Sequence, residues 1–226
     1  MNTILSRENI SASIQDYVKN AYKISQQDEN ITVSKLSRAL SVSLPSTTNM
    51  IKRLVDLSLM KKNRGGKIKL TEKGELLALE VIRHHRLLET FFIDVLGMDW
   101  AAAHEEAEIL EHYISERLEQ LIDKKLAQPK HDPHGEPIPT RSGSLKQKNL
   151  LNLLDTPVKE KFRIVEIHSS QAEMLSYLQN NKLFPGTELI VSEIAPFDGP
   201  VKFEMGKQTH FIGQSAARCI YGEKIT

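Results

Sequence analysis

Apolar residues recur with helical spacing from the start of the chain. Ile10, Ile14, Tyr17, Val18, Ala21 and Tyr22 fall at i, i+4, i+7, i+8, i+11 and i+12, the stripe of an amphipathic helix. Thr32 then precedes a short helical run over residues 33–40 as a candidate N-cap. Ser41-Val42-Ser43 predicts a tight polar turn. A further helix starts at Leu44, with Pro45 in its first turn, where the missing N–H costs nothing. Its buried face is Met50, Ile51, Leu54, Val55 and Leu57. Two short helices across such a turn form a helix-turn-helix. Residues 59–62 and 67–70 flank Asn63-Arg64-Gly65-Gly66, which predicts a β-hairpin with a basic tip. A helix-turn-helix followed by a basic hairpin is a winged helix.

From Thr71 the pattern lengthens. Leu76, Leu77, Leu79, Val81, Ile82, Leu87, Leu88, Phe91, Phe92, Val95 and Leu96 predict a long helix ending near Gly97. A second helix is expected from about residue 100 to 127, with Ala107, Leu110, Ile114, Leu118, Leu121 and Ile122 as its apolar positions. A winged helix does not need this much apolar surface, and the surplus predicts a homodimer interface. Residues 128–149 are rich in Pro, Gly, Ser and Lys without a period, and read as a linker. Beyond it, 162–167, 189–191, 201–205, 210–212 and 218–220 read as short strands, with a helix over 171–180. Regular short strands predict a small barrel. The fold class is therefore mainly α with a small β part. Its domains are a winged helix-turn-helix over 1–74, an α-helical dimerisation domain over 75–145 with the linker from about 128, and a β-module over 157–226.

Charge sharpens this division. The whole chain carries a formal net charge of +1. Residues 1–75 hold 13 Lys/Arg against 7 Asp/Glu, a net of +6, whereas residues 84–126 hold 4 against 10, a net of −6. The basic part suits phosphate and the acidic part suits cations. A single cysteine, Cys219, excludes a disulfide framework and a Cys-rich zinc site, and fits a reducing cytoplasm. Residues 1–8 lack the apolar core of a signal peptide, and no apolar run approaches the roughly 20 residues a membrane crossing needs, so no membrane partner is expected.

The candidate chemistry lies in His104-Glu105-Glu106-Ala107-Glu108-Ile109-Leu110-Glu111-His112. On a continuous helix His104, Glu108, Glu111 and His112 would fall within an arc of about 100°. His85 and Glu89 share a face of the preceding helix at i, i+4. Read singly, each is an ordinary solvated side chain, as Glu105 and Glu106 are expected to be. Together they offer nitrogen and oxygen donors without thiolate, a set that suits Mn(II), Fe(II) or another first-row divalent ion.

The helix-turn-helix, Arg83-His84-His85-Arg86-Leu87-Leu88-Glu89 and the His104 to His112 segment resemble the DtxR/MntR family of metal-dependent repressors. The likeness extends through residues 131–139 to the longer members, which carry a C-terminal SH3-like, FeoA-type domain. The resemblance implies a primary metal site of Asp16, Glu108, Glu111 and His112. Two second-site schemes stay open. The iron-type branch implies His85, Glu89 and His104, and the longer manganese-type members imply Glu89 with Asp132, His134 and Glu173. Lys19 stands where the short manganese regulators have a carboxylate, which argues against their closely spaced two-metal arrangement. Iron-type members carry Met and Cys at the positions of Asp16 and Glu108. The two carboxylates here are harder donors and point to Mn(II), with Fe(II) the alternative.

For double-stranded operator DNA, the matching positions are Ser43, Pro45, Ser46, Thr48, Asn49 and Lys52, with Asn63, Arg64 and Lys67 on the wing. Asn49 is the candidate base contact and the rest phosphate contacts. A dimer would present two recognition helices to half-sites roughly 34 Å apart. Two other function classes are weaker. His104-Glu105-x-x-Glu108 lacks the second His of a zinc-protease helix, and no nucleophile elbow or phosphate-cradling loop is found. A metal-independent winged-helix regulator leaves the ligand stripe unexplained.

Overall fold

The computed structural model describes residues 10–27, 30–63, 67–146 and 148–225. They fall into two compact units. The first comprises the described residues up to His84, with Glu111–Ile114 and Pro139–Leu145; the second comprises His85–Leu110, Ser115–Ile138 and the described residues from 146 on.

The first unit is the winged helix. Helix α1 (Ala12–Gln27) is followed by α2 (Val33–Ala39), α3 (Leu44–Asp56), β1 (Met60–Lys62) and β2 (Ile68–Leu70). Thr32 caps α2 by accepting from the Lys35 N–H, and Ser43 caps α3 by accepting from the Ser46 N–H. Between them Ser41 takes a positive φ of 53°, which closes the tight turn. The expected apolar stripe is the observed core: Ile14, Tyr17, Val18 and Ala21 of α1 pack with Leu36, Ile51, Leu54, Leu59, Met60, Ile68, Leu70 and Leu77. Strands β1 and β2 pair antiparallel, with Met60 opposite Leu70 and Lys62 opposite Ile68. Asn63 brackets the tip by accepting the Lys67 N–H at 2.9 Å. Arg64, Gly65 and Gly66 lie outside the described residues.

Helix α4 (Glu72–Asp94) opens after Thr71, whose hydroxyl accepts the Gly74 N–H at 3.1 Å. It ends before Gly97, whose φ of +72° suits a residue without a side chain. The helix expected over 100–127 is two helices, α5 (Trp100–Leu110) and α6 (Glu116–Lys125). Ser115, in extended conformation with ψ 151°, caps α6 by accepting the Leu118 N–H, and so ends any continuous helix. Glu111 and His112 therefore sit in the turn after α5 and do not continue its face.

The expected linker is also different. Residues 131–138 form a tight, partly buried loop: Asp132, His134 and Ile138 are all under 9% exposed. The Asp132 carboxylate accepts the backbone N–H groups of His134 and Glu136, both at 2.9 Å. Arg86 donates to the Pro137 carbonyl at 2.6 Å and pairs with Glu136. In the first unit, Arg83 holds the Pro139 carbonyl in the same manner at 2.9 Å.

The C-terminal module, in the second unit, is a six-stranded antiparallel SH3-like sheet with order β3-β8-β4-β5-β6-β7. Its strands are β3 (Leu151–Asn152), β4 (Lys161–Ile167), β5 (Glu188–Ile194), β6 (Val201–Met205), β7 (Gln208–Ile212) and β8 (Ile220–Ile225). Helix α7 (Ala172–Asn180) follows β4. A short helix α8 (Gln214–Ala217) displaces the strand expected over 218–220, and β8 begins at Ile220 instead. Phe162, Ile164, Ile167, Leu175, Leu178, Leu189, Val191 and Phe203 fill the core, and Trp100 of α5 belongs to it.

Gly74 tests the junction between wing and α4. A Cβ there would lie 2.0 Å from the Leu59 carbonyl oxygen, which is backbone and cannot step aside. Gly74→Ala should lower the unfolding free energy by about 2–3 kcal/mol in urea titration, despite the better helix propensity of Ala. A change under about 0.5 kcal/mol would show that the junction is not tightly packed.

Candidate metal centre

Three groups of ligand-type side chains converge among the described residues: Asp16 with Glu111 and His112, His85 with His104 and Glu108, and Glu89 with Asp132 and His134. In each, one donor atom per residue lies within 4.8 Å of the others. Each group falls within a single unit.

The first group is held by α1 and the turn after α5. His112 Nε2 is 3.1 Å from Asp16 Oδ1 and 3.6 Å from Glu111 Oε1. On its other side, His112 Nδ1 lies 2.9 Å from the Gln15 amide oxygen. With the proton on Nδ1 donated to Gln15, the Nε2 lone pair faces the two carboxylates, which is the form a metal requires. The Glu111 side chain is wholly buried, and Lys19 Nζ sits 2.5 Å from its Oε1. A buried carboxylate needs such a cation. Asp16 remains about one-third exposed, which leaves an approach for an ion. Two oxygens and one imidazole nitrogen, with room for solvent, fit a divalent ion.

The other two groups meet at Glu89 of α4. Its Oε1 is 2.8 Å from His104 Nδ1 and 3.1 Å from His85 Nε2; its Oε2 faces His134 Nδ1 at 3.7 Å. Burial alone would raise the Glu89 pKa, but His85, His104 and His134 outweigh it and hold the carboxyl well below the usual carboxylate range. Burial pushes His134 down, toward the neutral ligand form. Burial, with Glu136 alongside, pushes Asp132 well up, against the pull of Arg86. Asp132 Oδ2, 3.5 Å from Arg86 Nε, and His134 Nε2 are buried without a hydrogen-bond partner. Trp100 packs edge-on against the His134 ring at 4.5 Å and fixes its plane.

Glu108 groups with His85 and His104: its Oε1 lies 3.8 Å from His85 Nδ1 and 3.9 Å from His104 Nε2. Glu173 is exposed in the first turn of α7 and is not among the grouped donors. Sequence reasoning missed Gln15 and Lys19, which arrange the first group, and Arg86, which holds the Asp132 loop. The first two lie one position before and three positions after Asp16 on α1, a signal that becomes readable only once Asp16 is known to matter.

On α3, Ser43, Pro45, Ser46, Thr48, Asn49 and Lys52 are all exposed, as are Asn63 and Lys67 beside the wing tip. The Ser43 and Ser46 hydroxyls lie 2.8 Å apart in the cap, and Thr48 donates to the Leu44 carbonyl, so these three already have local structural roles. Thr47 is buried and meets the Tyr17 hydroxyl at 3.3 Å. That contact joins the helix carrying Asp16 to the recognition helix.

Residues 9–64 match the model of the iron-dependent repressor N-terminal DNA-binding domain. Residues 71–140 match the iron-dependent repressor metal-binding and dimerisation domain, and residues 151–224 match the FeoA domain. A solved manganese-dependent transcriptional repressor in complex with manganese aligns with TM-score 0.85 and 30% identity, covering 94% of this chain and 100% of that one. ScaR with bound Cd2+ aligns with TM-score 0.82 and 32% identity over 94% and 99%. The iron-dependent repressor IdeR of Mycobacterium bovis is 25% identical over 221 residues, 92% of this chain and 96% of its own length.

Lys19 provides a direct test of the first group. Lys19→Met should destabilise the metal-free protein by about 3 kcal/mol, because the Glu111 carboxylate loses a buried cation. Added Mn(II) should recover more stability in the variant than in the wild type. Urea unfolding with EDTA and with Mn(II) measures both, and unchanged stability in EDTA would refute the role given to the ion pair.

Proposed function

Because the chain belongs to the DtxR/MntR family of metal-dependent transcriptional repressors, we propose that Mn(II) is the ion to which it responds, with Fe(II) the alternative. The protein is a DNA-binding repressor and not an enzyme. It dimerises, takes a divalent metal and binds operator DNA. None of its described helices is long and apolar enough to cross a membrane. Its proposed place is the cytoplasm.

The observation that carries the reading is the meeting of Asp16, Glu111 and His112 beside Gln15 and Lys19. We take Asp16, Glu111 and His112 as ligands of the primary site. Asp16, Glu111 and His112 would hold a divalent ion whose positive charge would let the two carboxylates stay close, and Asp16 would thereby hold α1 against the turn carrying Glu111 and His112. Tyr17, the next residue, passes that restraint to Thr47 of α3. The exposed face of α3, with Asn49 toward base edges and Lys52 toward phosphate, is then presented in one orientation. Asn63 and Lys67 set the base of the wing for the adjacent backbone, and Arg64 is assigned there from its place between them in the sequence. By linkage, DNA raises metal affinity by the factor by which metal raises DNA affinity.

Donor chemistry supports manganese. Asp16 and Glu111 are hard oxygen donors, and His112 is the one nitrogen of the group. The relatives include proteins named for manganese and others named for iron, so chain-specific chemistry must decide. Zn(II) would bind tightly by the general affinity order but favours four ligands, whereas Mn(II) accepts six.

Operator binding followed by fluorescence anisotropy tests the switch. Affinity should rise about 10- to 100-fold from EDTA to saturating Mn(II), the range of a coupling of about 1–3 kcal/mol. Equal affinity in both would remove the metal switch. Asp16→Met should move the anaerobic activation order toward Fe(II) or Co(II). If the wild type responds to Fe(II) at far lower free concentration than to Mn(II), or the variant keeps the wild-type order, manganese is the wrong assignment.

A further inference from the structure

His112 is held by two consecutive residues of α1 that take opposite edges of its ring. Asp16 Oδ1 stands 3.1 Å from Nε2, and the Gln15 side-chain amide lies 2.9 Å from Nδ1. The ring is enclosed, with 7% of the side chain exposed, so Nδ1 depends on Gln15 for a partner. Glu111 Oε1 is 3.6 Å from Nε2 but is already paired with Lys19 at 2.5 Å. Asp16 is therefore the carboxylate that the Nε2 edge meets first.

A neutral imidazole carries one N–H and one lone pair. With an ion on Nε2, the lone pair lies there and the N–H is at Nδ1, where the Gln15 oxygen accepts it. Without an ion, that arrangement aims a lone pair at the Asp16 carboxylate 3.1 Å away, and the two repel. The other tautomer removes the conflict. Its Nε2–H faces Asp16, and its Nδ1 becomes an acceptor that needs a donor from position 15. A glutamine amide supplies one, because a half-turn about its last side-chain bond puts NH2 where the oxygen was. A carboxylate at position 15 could only accept, and an apolar side chain could do neither.

We propose that Gln15 is a positioning residue of the metal switch: its amide reverses, so that His112 is hydrogen-bonded both as an Nε2–H donor to Asp16 without an ion and as an Nε2 ligand with one. The proposal rests on the reading of Asp16, Glu111 and His112 as ligands. On binding, the ring gives its Nε2 proton to solvent and takes one at Nδ1 from solvent, so its charge is unchanged. The Gln15 amide turns from donor to acceptor, and Asp16 exchanges a hydrogen bond for a ligand bond. Both states keep the polar atoms of an enclosed ring paired, and the ion competes with a hydrogen bond instead of filling an unsatisfied site.

Nitrogen NMR of the full-length protein with labelled histidine reads the tautomer directly, at about pH 8, above the ordinary histidine pKa of roughly 6.5. The His112 signals are those missing from His112→Gln, and Cd(II) is a diamagnetic probe ion. In EDTA the wild type should show a protonated Nε2 and a bare Nδ1; with Cd(II), a protonated Nδ1 and an ion on Nε2. A protonated Nδ1 in EDTA would overturn the proposal while leaving the ligand reading intact. His112 signals that ignore Cd(II) would overturn the ligand reading and the proposal with it. Two variants separate positioning from packing, with affinity taken from a chelator-buffered titration followed at His112. Gln15→Leu should keep Nε2–H in EDTA and weaken Cd(II) binding about 10- to 100-fold, the range for losing a partner behind a ligating imidazole. Gln15→Glu should carry the Nδ1 proton even in EDTA and bind Cd(II) within a few-fold of wild type. Equal losses of affinity in both variants would reduce Gln15 to a packing role and overturn the proposal.

Discussion

A carboxylate taken out of water must bring a cation with it, and this constraint organises the acidic middle of the chain. Burying an unpaired carboxylate costs several kcal/mol, more than a typical side chain can recover by packing. The chain nevertheless buries Glu89, Glu111 and Asp132. Each is met by a different partial answer. Glu111 has Lys19. Glu89 has three imidazoles, which are neutral unless protonated or engaged otherwise. Asp132 has Arg86 at 3.5 Å, shared with Glu136. Lys19 matches Glu111 one for one, whereas Glu89 relies on imidazoles and Asp132 shares Arg86 with Glu136.

The ion pair of Lys19 and Glu111 also sets how far the switch can move. Without it, metal loss would leave a wholly buried charge and the turn carrying Glu111 would open. With it, metal loss costs the Asp16 contact while Glu111 stays in place. Asp16 and Lys19 both belong to α1, the helix whose Ile14, Tyr17 and Val18 share one core with the recognition helix. A restraint on Asp16 is thus felt at Thr47 through one hydroxyl contact and a continuous apolar core, both within one unit. Packed cores move between discrete arrangements and do not deform continuously, so a small shift at the ligand can become a change of state at the DNA-reading face.

Much of this was legible in the sequence because it rests on local rules. The apolar stripe of residues 10–22 supplies the observed core of α1, and Thr32 caps α2 as its pattern predicts. Four strands of the C-terminal module were located to within a few residues; the short β3 at Leu151–Asn152 was missed, and around 214–220 Gly213 opens a helical turn that periodicity does not register. The break between α5 and α6 was missed although Ser115-Glu116 carries an ordinary cap signal. An uninterrupted apolar pattern on either side outweighed it. The supposed linker was misread for a deeper reason. Composition reports that residues 131–138 make no regular element, but not that Arg86 reaches them from 50 positions away. The site divided in the same way. Residue types within one helix were readable, whereas the point at which α5 ends before Glu111 was not.

The buried and exposed donors also imply a division of labour in time. An enclosed ligand set would exchange an ion only when the surrounding structure opens, whereas a set with a solvent-facing carboxylate would not need that opening. Asp16 and Glu108 supply that exposure in their respective units, and Glu89, Asp132 and His134 lack it. The enclosed set is also the one fastened to the β-module. The His134 carbonyl accepts the Ile167 N–H at 2.9 Å, and a Cβ at Gly135 would strike the Val165 carbonyl, so the loop lies flush on β4. An ion there would join α4 to the sheet through a rigid loop. The β-module thus backs the loop that carries Asp132 and His134.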